Sequence, residues 1–143
     1  MSINEKQDGI IEDFSLFDDW MQKYDYIIDL GKKLPIIEDE YKTEEYQIKG
    51  CQSRVWLRAY EQDGKVYFKA DSDAVITRGI IALLIEVLSG QKADDIAGAD
   101  LYFIDRIGLK EHLSPTRSNG LTSMVKHMKY YGLGLKKKLE NHE

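Results

Sequence analysis

Apolar residues recur at helical spacing at both ends of the chain and alternate in its middle. Ser2-Ile3-Asn4-Glu5 has the form of a capping box, so a helix is expected to begin there. Ile10, Ile11, Phe14 and Phe17 give that helix an apolar face. Asp18 or Asp19 can cap a second helix, in which Trp20, Tyr24, Ile27, Ile28 and Gly31 recur at steps of three and four. Lys32 and Lys33 suit its end, and Pro35 stops it. Residues 36–45 are acidic and without periodicity, and read as a connection.

Tyr46 to Lys49 reads as a short strand. From Arg54 to Glu61, Val55, Leu57 and Ala59 alternate with Trp56, Arg58 and Tyr60. Asp63-Gly64 is a strong hairpin-turn signal, and Val66, Phe68 and Ala70 alternate in the returning strand. Two or three antiparallel strands alone are marginal in water, so helices must cover one face. Ser72 or Asp73 can cap the next helix, whose stripe (Val75, Ile76, Gly79, Ile80, Leu83, Leu84, Val87, Leu88) is widened by Ile81 and Ile85. A helix this apolar belongs at the centre of the core. Gly90 closes it, and residues 91–113 read as short turns. Ser114-Pro115 then reads as an N-cap followed by proline at the first helical position, with Leu121, Met124, Val125, Met128 and Leu135 lining the final helix. No repeat, low-complexity segment or linker interrupts this order. The expected architecture is one α+β domain over residues 1–143, with a small antiparallel sheet packed against helices.

Composition changes this picture little. The chain has 143 residues, 43% of them hydrophobic and 31% charged, which fits one soluble domain. Its net charge of −5 argues against a nucleic-acid partner. The charge is uneven: residues 1–50 carry 13 acids and 6 bases, residues 101–143 carry 4 and 8. Solvated helix faces, with Lys136, Lys137 and Lys138 at a helix C-terminus, account for that asymmetry. The acidic start does not resemble a signal peptide, and Gly79 to Ile85 is too short to span a bilayer. A single cysteine permits no disulfide within the chain and suits a reducing cytoplasm.

That cysteine is the candidate for chemistry. Cys51 lies in Gly50-Cys51-Gln52-Ser53-Arg54-Val55-Trp56, at the mouth of the expected hairpin. A free cysteine is more often a small buried hydrophobe than a nucleophile, so the thiol by itself decides nothing. To react it must be a thiolate, which nearby cations favour. Lys49, Arg54, Arg78 and Arg117 are the cationic candidates. Arg117 is the most informative, because it falls in the first turn of a helix, where a carboxylate is favoured over a cation. An exposed surface arginine is the plainer reading. No histidine sits in a hydrolase motif with Cys51, and His112, His127 and His142 have no ligand-like spacing. There is no Cys-x-x-Cys and no glycine-rich phosphate loop. A lone thiol without a base or second thiol is better suited to accepting a group than to turning over a small substrate.

Three motifs then carry a resemblance. They are Gly50-Cys51-Gln52-Ser53 with Val55-Trp56, Asp71-Ser72-Asp73-Ala74 with Arg78-Gly79, and Leu113-Ser114-Pro115-Thr116-Arg117-Ser118-Asn119-Gly120-Leu121. Similarity extends through Tyr24 to Gly31 and Leu34-Pro35. In this order and spacing the chain resembles the SufE family of cysteine-desulfuration proteins, sulfur acceptors for group II cysteine desulfurases in iron–sulfur cluster assembly. The resemblance implies an IscU/SufE-like fold with a three-stranded antiparallel sheet. It implies that Cys51 is the acceptor thiol, and that Gly50, Gln52, Ser53, Asp71 or Asp73, and Arg117 support or position its loop. It further implies that the protein stimulates a SufS-type desulfurase and hands sulfur to a SufB-type scaffold. On this reading the chain holds no cofactor or metal, and pyridoxal phosphate belongs to the partner. The activity is sulfurtransferase-like, without independent turnover of a small molecule. Residues 91–110 match less clearly, which leaves open the choice between SufE and its relative CsdE, which serves a different desulfurase. The persulfide is expected to be shielded in an apolar pocket, with Val55, Trp56 and the 75–88 helix as candidate walls. Two other classes compete: a docking module in which Cys51 is only packed core, and a thiol hydrolase, which needs a histidine within reach of the sulfur.

Overall fold

The computed structural model describes residues 1–140. Helix α1 spans Ile3–Phe14 and begins with both halves of the capping box: the Glu5 amide donates to Ser2 Oγ and the Ser2 amide to Glu5 Oε1. It ends at Phe14, and Phe17 lies beyond it, packed edge-on against the Phe14 ring. Of the two candidate caps for α2 (Trp20–Gly31), Asp19 takes the role by accepting from the Gln22 amide at 2.9 Å.

Strands β1 (Val55–Gln62) and β2 (Lys65–Ser72) form an antiparallel hairpin in register from Val55↔Ser72 to Gln62↔Lys65. Asp63 (φ 56°) and Gly64 (φ 80°) both occupy the left-handed region that this two-residue turn requires. Val55, Leu57, Val66, Phe68 and Ala70 are buried. The sheet has two strands where the resemblance implied three. Glu44–Tyr46 is a 3₁₀ turn, and the expected strand at 46–49 shrinks to one antiparallel bridge, Gln47↔Trp56. Its amide ladder goes no further because the chain turns away at Gly50, whose φ of +87° is incompatible with a strand. Single bridges Ile36↔Ala70 and Val66↔Gln91 cover parts of the other edge.

Helix α3 (Val75–Leu88) is the central core helix, buried on almost every side. Neither Ser72 nor Asp73 is its N-cap residue. Ser72 closes β2, Asp73 turns its carboxylate to another amide, and Ala74 holds the cap position. The Ser72 hydroxyl still accepts from the Ala74 amide at 3.2 Å, but from outside the helix. Three short helices follow: α4 (Ala93–Ala97), α5 (Phe103–Arg106) and α6 (Leu109–His112). Helix α7 (Pro115–Glu140) begins as expected, with Ser114 Oγ accepting from the Arg117 amide. It buries Leu121, Met124 and Met128. The side chains of Lys136 and Lys138, and His142, lie outside the described part.

The layers are α2 on α3, α3 on β2, and α7 across β1 and α3, an α+β fold. Helices α2 and α3 cross through two glycines. A Cβ on Gly31 would come within 2.8 Å of the Gly79 amide nitrogen, and one on Gly79 would overlap the Ile27 carbonyl. Helix propensity alone favours Gly79→Ala by about 1 kcal/mol. The crossing reverses that sign, so the variant is expected to be destabilised by about 2 kcal/mol, read as a lowered urea midpoint.

Candidate functional site

The site is built on the loop that precedes β1. Its upstream limb leaves the sheet after the Ile48 amide bonds the Val55 carbonyl at 2.8 Å. Gly50 turns it under α7, where any side chain at 50 would meet Ser123 Oγ 2.7 Å from its Cβ. The downstream limb returns through Ser53 and Arg54. The Arg54 amide donates to Asp73 Oδ1 at 3.0 Å, and its carbonyl accepts from Ser72 Oγ at 2.7 Å and the Asp73 amide at 3.3 Å. The Ser53 and Thr77 hydroxyls lie 3.1 Å apart in a hydrogen bond.

Between these limbs sits Cys51, half-buried against the core. Its S–H donates to the Gly120 carbonyl of α7 at 3.7 Å. Burial lifts the thiol above its ordinary value of 9.0, so it is protonated at neutral pH. A cavity of about 260 Å³ opens beside it, with walls that include Ser53, Thr77, Ile80, Arg117 and Met124. The helix 75–88 thus lines the cavity as expected, through Thr77 and Ile80. Val55 and Trp56 do not, because Val55 points into the sheet core and Trp56, next in the strand, faces the other way.

Of the four cationic candidates, one reaches the cavity. Arg117 lines it from the first turn of α7, exposed, and among the described residues no carboxylate lies within 4.0 Å of its guanidinium. Lys49 reaches Glu44 at 3.5 Å, Arg78 pairs with Asp71 at 2.9 Å, and Arg54 is exposed. Asp73 touches the loop directly through Arg54. Asp71 does not: it is held between Lys42 (2.7 Å) and Arg78 under the strand end. Burial raises its pKa, but the Lys42 ammonium, the Ser72 amide and Arg78 outweigh burial, and the carboxyl stays below its usual range. Gln52 is exposed at the cavity mouth.

The hydrolase reading loses its base among the described residues. His112 stacks on Trp20 with ring centroids 4.4 Å apart, and His127 Nδ1 lies 2.9 Å from the Ser123 carbonyl. The sulfur's hydrogen bond goes instead to the Gly120 carbonyl. No group of three metal-ligating side chains converges among the described residues, and no helix there is long and apolar enough to cross a membrane.

The model of the SufE domain, described as associated with Fe–S metabolism, matches residues 8–131. The chain belongs to the SufE family. An uncharacterized SufE-like protein of Rhizobium etli is 44% identical over 127 residues, 85% of this chain and 86% of its own length. The SufE-like protein 1 of Arabidopsis thaliana, named as chloroplastic/mitochondrial, is 37% identical over 136 residues, 94% of this chain but 37% of that longer protein. In structure, a hypothetical protein of Thermus thermophilus superposes with a TM-score of 0.75 over 90% of this chain and 94% of its own, at 20% identity, a likeness of fold. SufE membership associates the chain with iron–sulfur metabolism.

In this SufE domain the raised Cys51 pKa couples to stability. The unfolded thiol ionises near 9.0 and the folded one above it. The folded chain therefore binds more protons in that window, and the contribution present below the unfolded value is lost as pH rises through the folded one. Urea unfolding from pH 7 to 10 is expected to show wild type losing stability relative to Cys51→Ser above about pH 9.

Proposed function

We propose that Cys51 accepts sulfane sulfur from a persulfide on a cysteine desulfurase, stimulates that enzyme, and passes the sulfur to an iron–sulfur cluster scaffold. The observation that carries the reading is the sole cysteine of a SufE domain, in a loop that shares a cavity with Arg117. The Cys51 thiolate attacks the terminal sulfur of the donor persulfide. The donor S–S bond breaks, its electron pair leaves on the donor thiolate, and Cys51 becomes the persulfide, with no net change of oxidation state across the pair. SufS-type and SufB-type proteins are the proposed donor and recipient, in the cytoplasm. Pyridoxal phosphate belongs to the donor, and this chain holds no cofactor.

Half-buried and protonated, the sulfur is a poor nucleophile, and its contact with a carbonyl oxygen favours the same form. Docking of the donor therefore has to turn the 50–53 loop outward. Arg117, at the cavity wall with no carboxylate beside it among the described residues, is the group placed to stabilise an anionic sulfur as the loop moves. Gly50 supplies the left-handed turn, Ser53 and Asp73 hold the downstream limb, and Asp71 supports the strand end beneath.

The half-buried sulfur of the free protein also suits a docking module with an inert cysteine, and one experiment separates the two. The protein is mixed with a matched desulfurase and free cysteine, and its intact mass is measured. Wild type is expected to gain a sulfur, while Cys51→Ser gains none and no longer stimulates the desulfurase. A serine variant that stimulates as well as wild type would overturn the reading. Arg117→Ala is expected to lower stimulation about two- to fivefold, the size of an exposed charge contact, with unchanged circular dichroism. Arg117→Lys is expected to recover part of it.

A further inference from the structure

Arg54 and Ser53 are held by hydroxyls as well as by a carboxylate. Ser72 is 1% exposed and Thr77 is 5% exposed, so both residues are buried, and their hydrogen bonds to the loop are partly buried. Ser72 Oγ has both its roles filled. It donates to the Arg54 carbonyl at 2.7 Å and accepts from the Ala74 amide at 3.2 Å, joining the loop end to the start of α3. Thr77 lies in the first turn of α3 and engages the Ser53 hydroxyl at 3.1 Å. Its Cβ is fixed by the helix, and the crossing of α2 and α3 at Gly79, two residues on, fixes the helix.

The upstream limb is tied differently. Among the described residues, no hydrogen bond from a buried side chain holds residues 49–50. Lys49 reaches the exposed Glu44 at 3.5 Å, and Gly50 occupies the left-handed region. The two limbs that carry Cys51 are therefore unequal: one is anchored at two successive residues, Ser53 to α3 and Arg54 to the end of β2, while the other turns on a glycine.

We infer that the Ser72 and Thr77 hydroxyls are positioning groups for Cys51, anchoring residues 53 and 54 so that the sulfur stays in the cavity against Gly120 and leaves it only by rotation about the Gly50 limb. The inference rests on the sulfur-acceptor reading for its purpose, but its geometry concerns the free protein. Losing either hydroxyl removes one tie on residue 53 or 54 and raises the population of the exposed loop. The carboxylate at Asp73 still holds the Arg54 amide, so the loop loosens without detaching. Arg117 is the charged side chain lining the cavity, so a loosened sulfur exchanges burial for water and a neighbouring cation.

Iodoacetamide alkylation of the free protein, followed by intact mass from pH 6 to 10, tests this without any desulfurase. Thr77→Val and Ser72→Ala are expected to alkylate about three- to tenfold faster than wild type at pH 7.5, roughly the population shift from one lost hydrogen bond. The midpoint of their pH profiles is expected to fall towards that of an unburied thiol. Thr77→Ser keeps a hydroxyl at the same place and is expected to return both rate and midpoint to wild type. The serine rescue keeps the test open if Ser72→Ala does not fold. Wild-type rates and midpoints in Thr77→Val, with normal circular dichroism, would overturn the inference. Sulfur loading by a desulfurase is measured in parallel. If the variants alkylate faster and yet wild-type Cys51 gains no sulfur, the positioning role stands and the acceptor reading falls. If wild type gains sulfur while alkylation is the same in all variants, the acceptor reading stands and the positioning role falls.

Discussion

The close crossing of α2 over α3 sets the frame on which the site is hung. Gly79 has no Cβ, so the Ile27 carbonyl lies against the α3 backbone. That contact fixes both the height and the rotation of α3. Thr77 stands two residues before the crossing and Ile80 one after it, and both face the cavity beside Cys51. A shift of α3 by one side-chain layer would move the cavity wall and the anchor of the loop together. The packed interior of α3 thus does more than bury surface: it transmits a rigid position to a surface loop.

Against that rigid wall the loop holds a half-buried, protonated thiol. Burial and a carbonyl neighbour keep the sulfur protonated, and the cation that lines the cavity, Arg117, is exposed at its rim. These features favour storage over attack. On the proposed acceptor role, a protein that meets its donor only on docking benefits from that arrangement, because a thiol ionised in the free protein is open to oxidation and to other electrophiles. On that reading, reactivity follows from where the loop is, more than from which residues it contains.

Much of the fold was legible in the sequence because its signals are local. The capping box at Ser2 and Glu5, the Asp63-Gly64 turn and the Ser114-Pro115 helix start each depend on atoms within four residues. The apolar width of α3 announced a central helix. Where tertiary contacts compete for the same groups, local reading failed. Ser72 and Asp73 are good capping residues, yet both are drawn to the Arg54 backbone, and Ala74 takes the cap position. The strand expected at 46–49 has strand-like composition, but the Gly50 turn leaves it only one bridge.

For the site, the sequence by itself determined which atom is singular and which motifs surround it: one thiol after a glycine, an arginine at an unusual helix position, and three family motifs in order. Only the tertiary structure decided that Arg117 and Cys51 share a cavity, that Asp73 rather than Asp71 touches the loop, and that Thr77 and Ile80 of the 75–88 helix line it together with Met124, without Val55 or Trp56. The physical reason is that periodicity tells which face of a helix is apolar, but not which loop that face meets. Residues far apart in the chain acquire a shared environment only when the helices that carry them are packed.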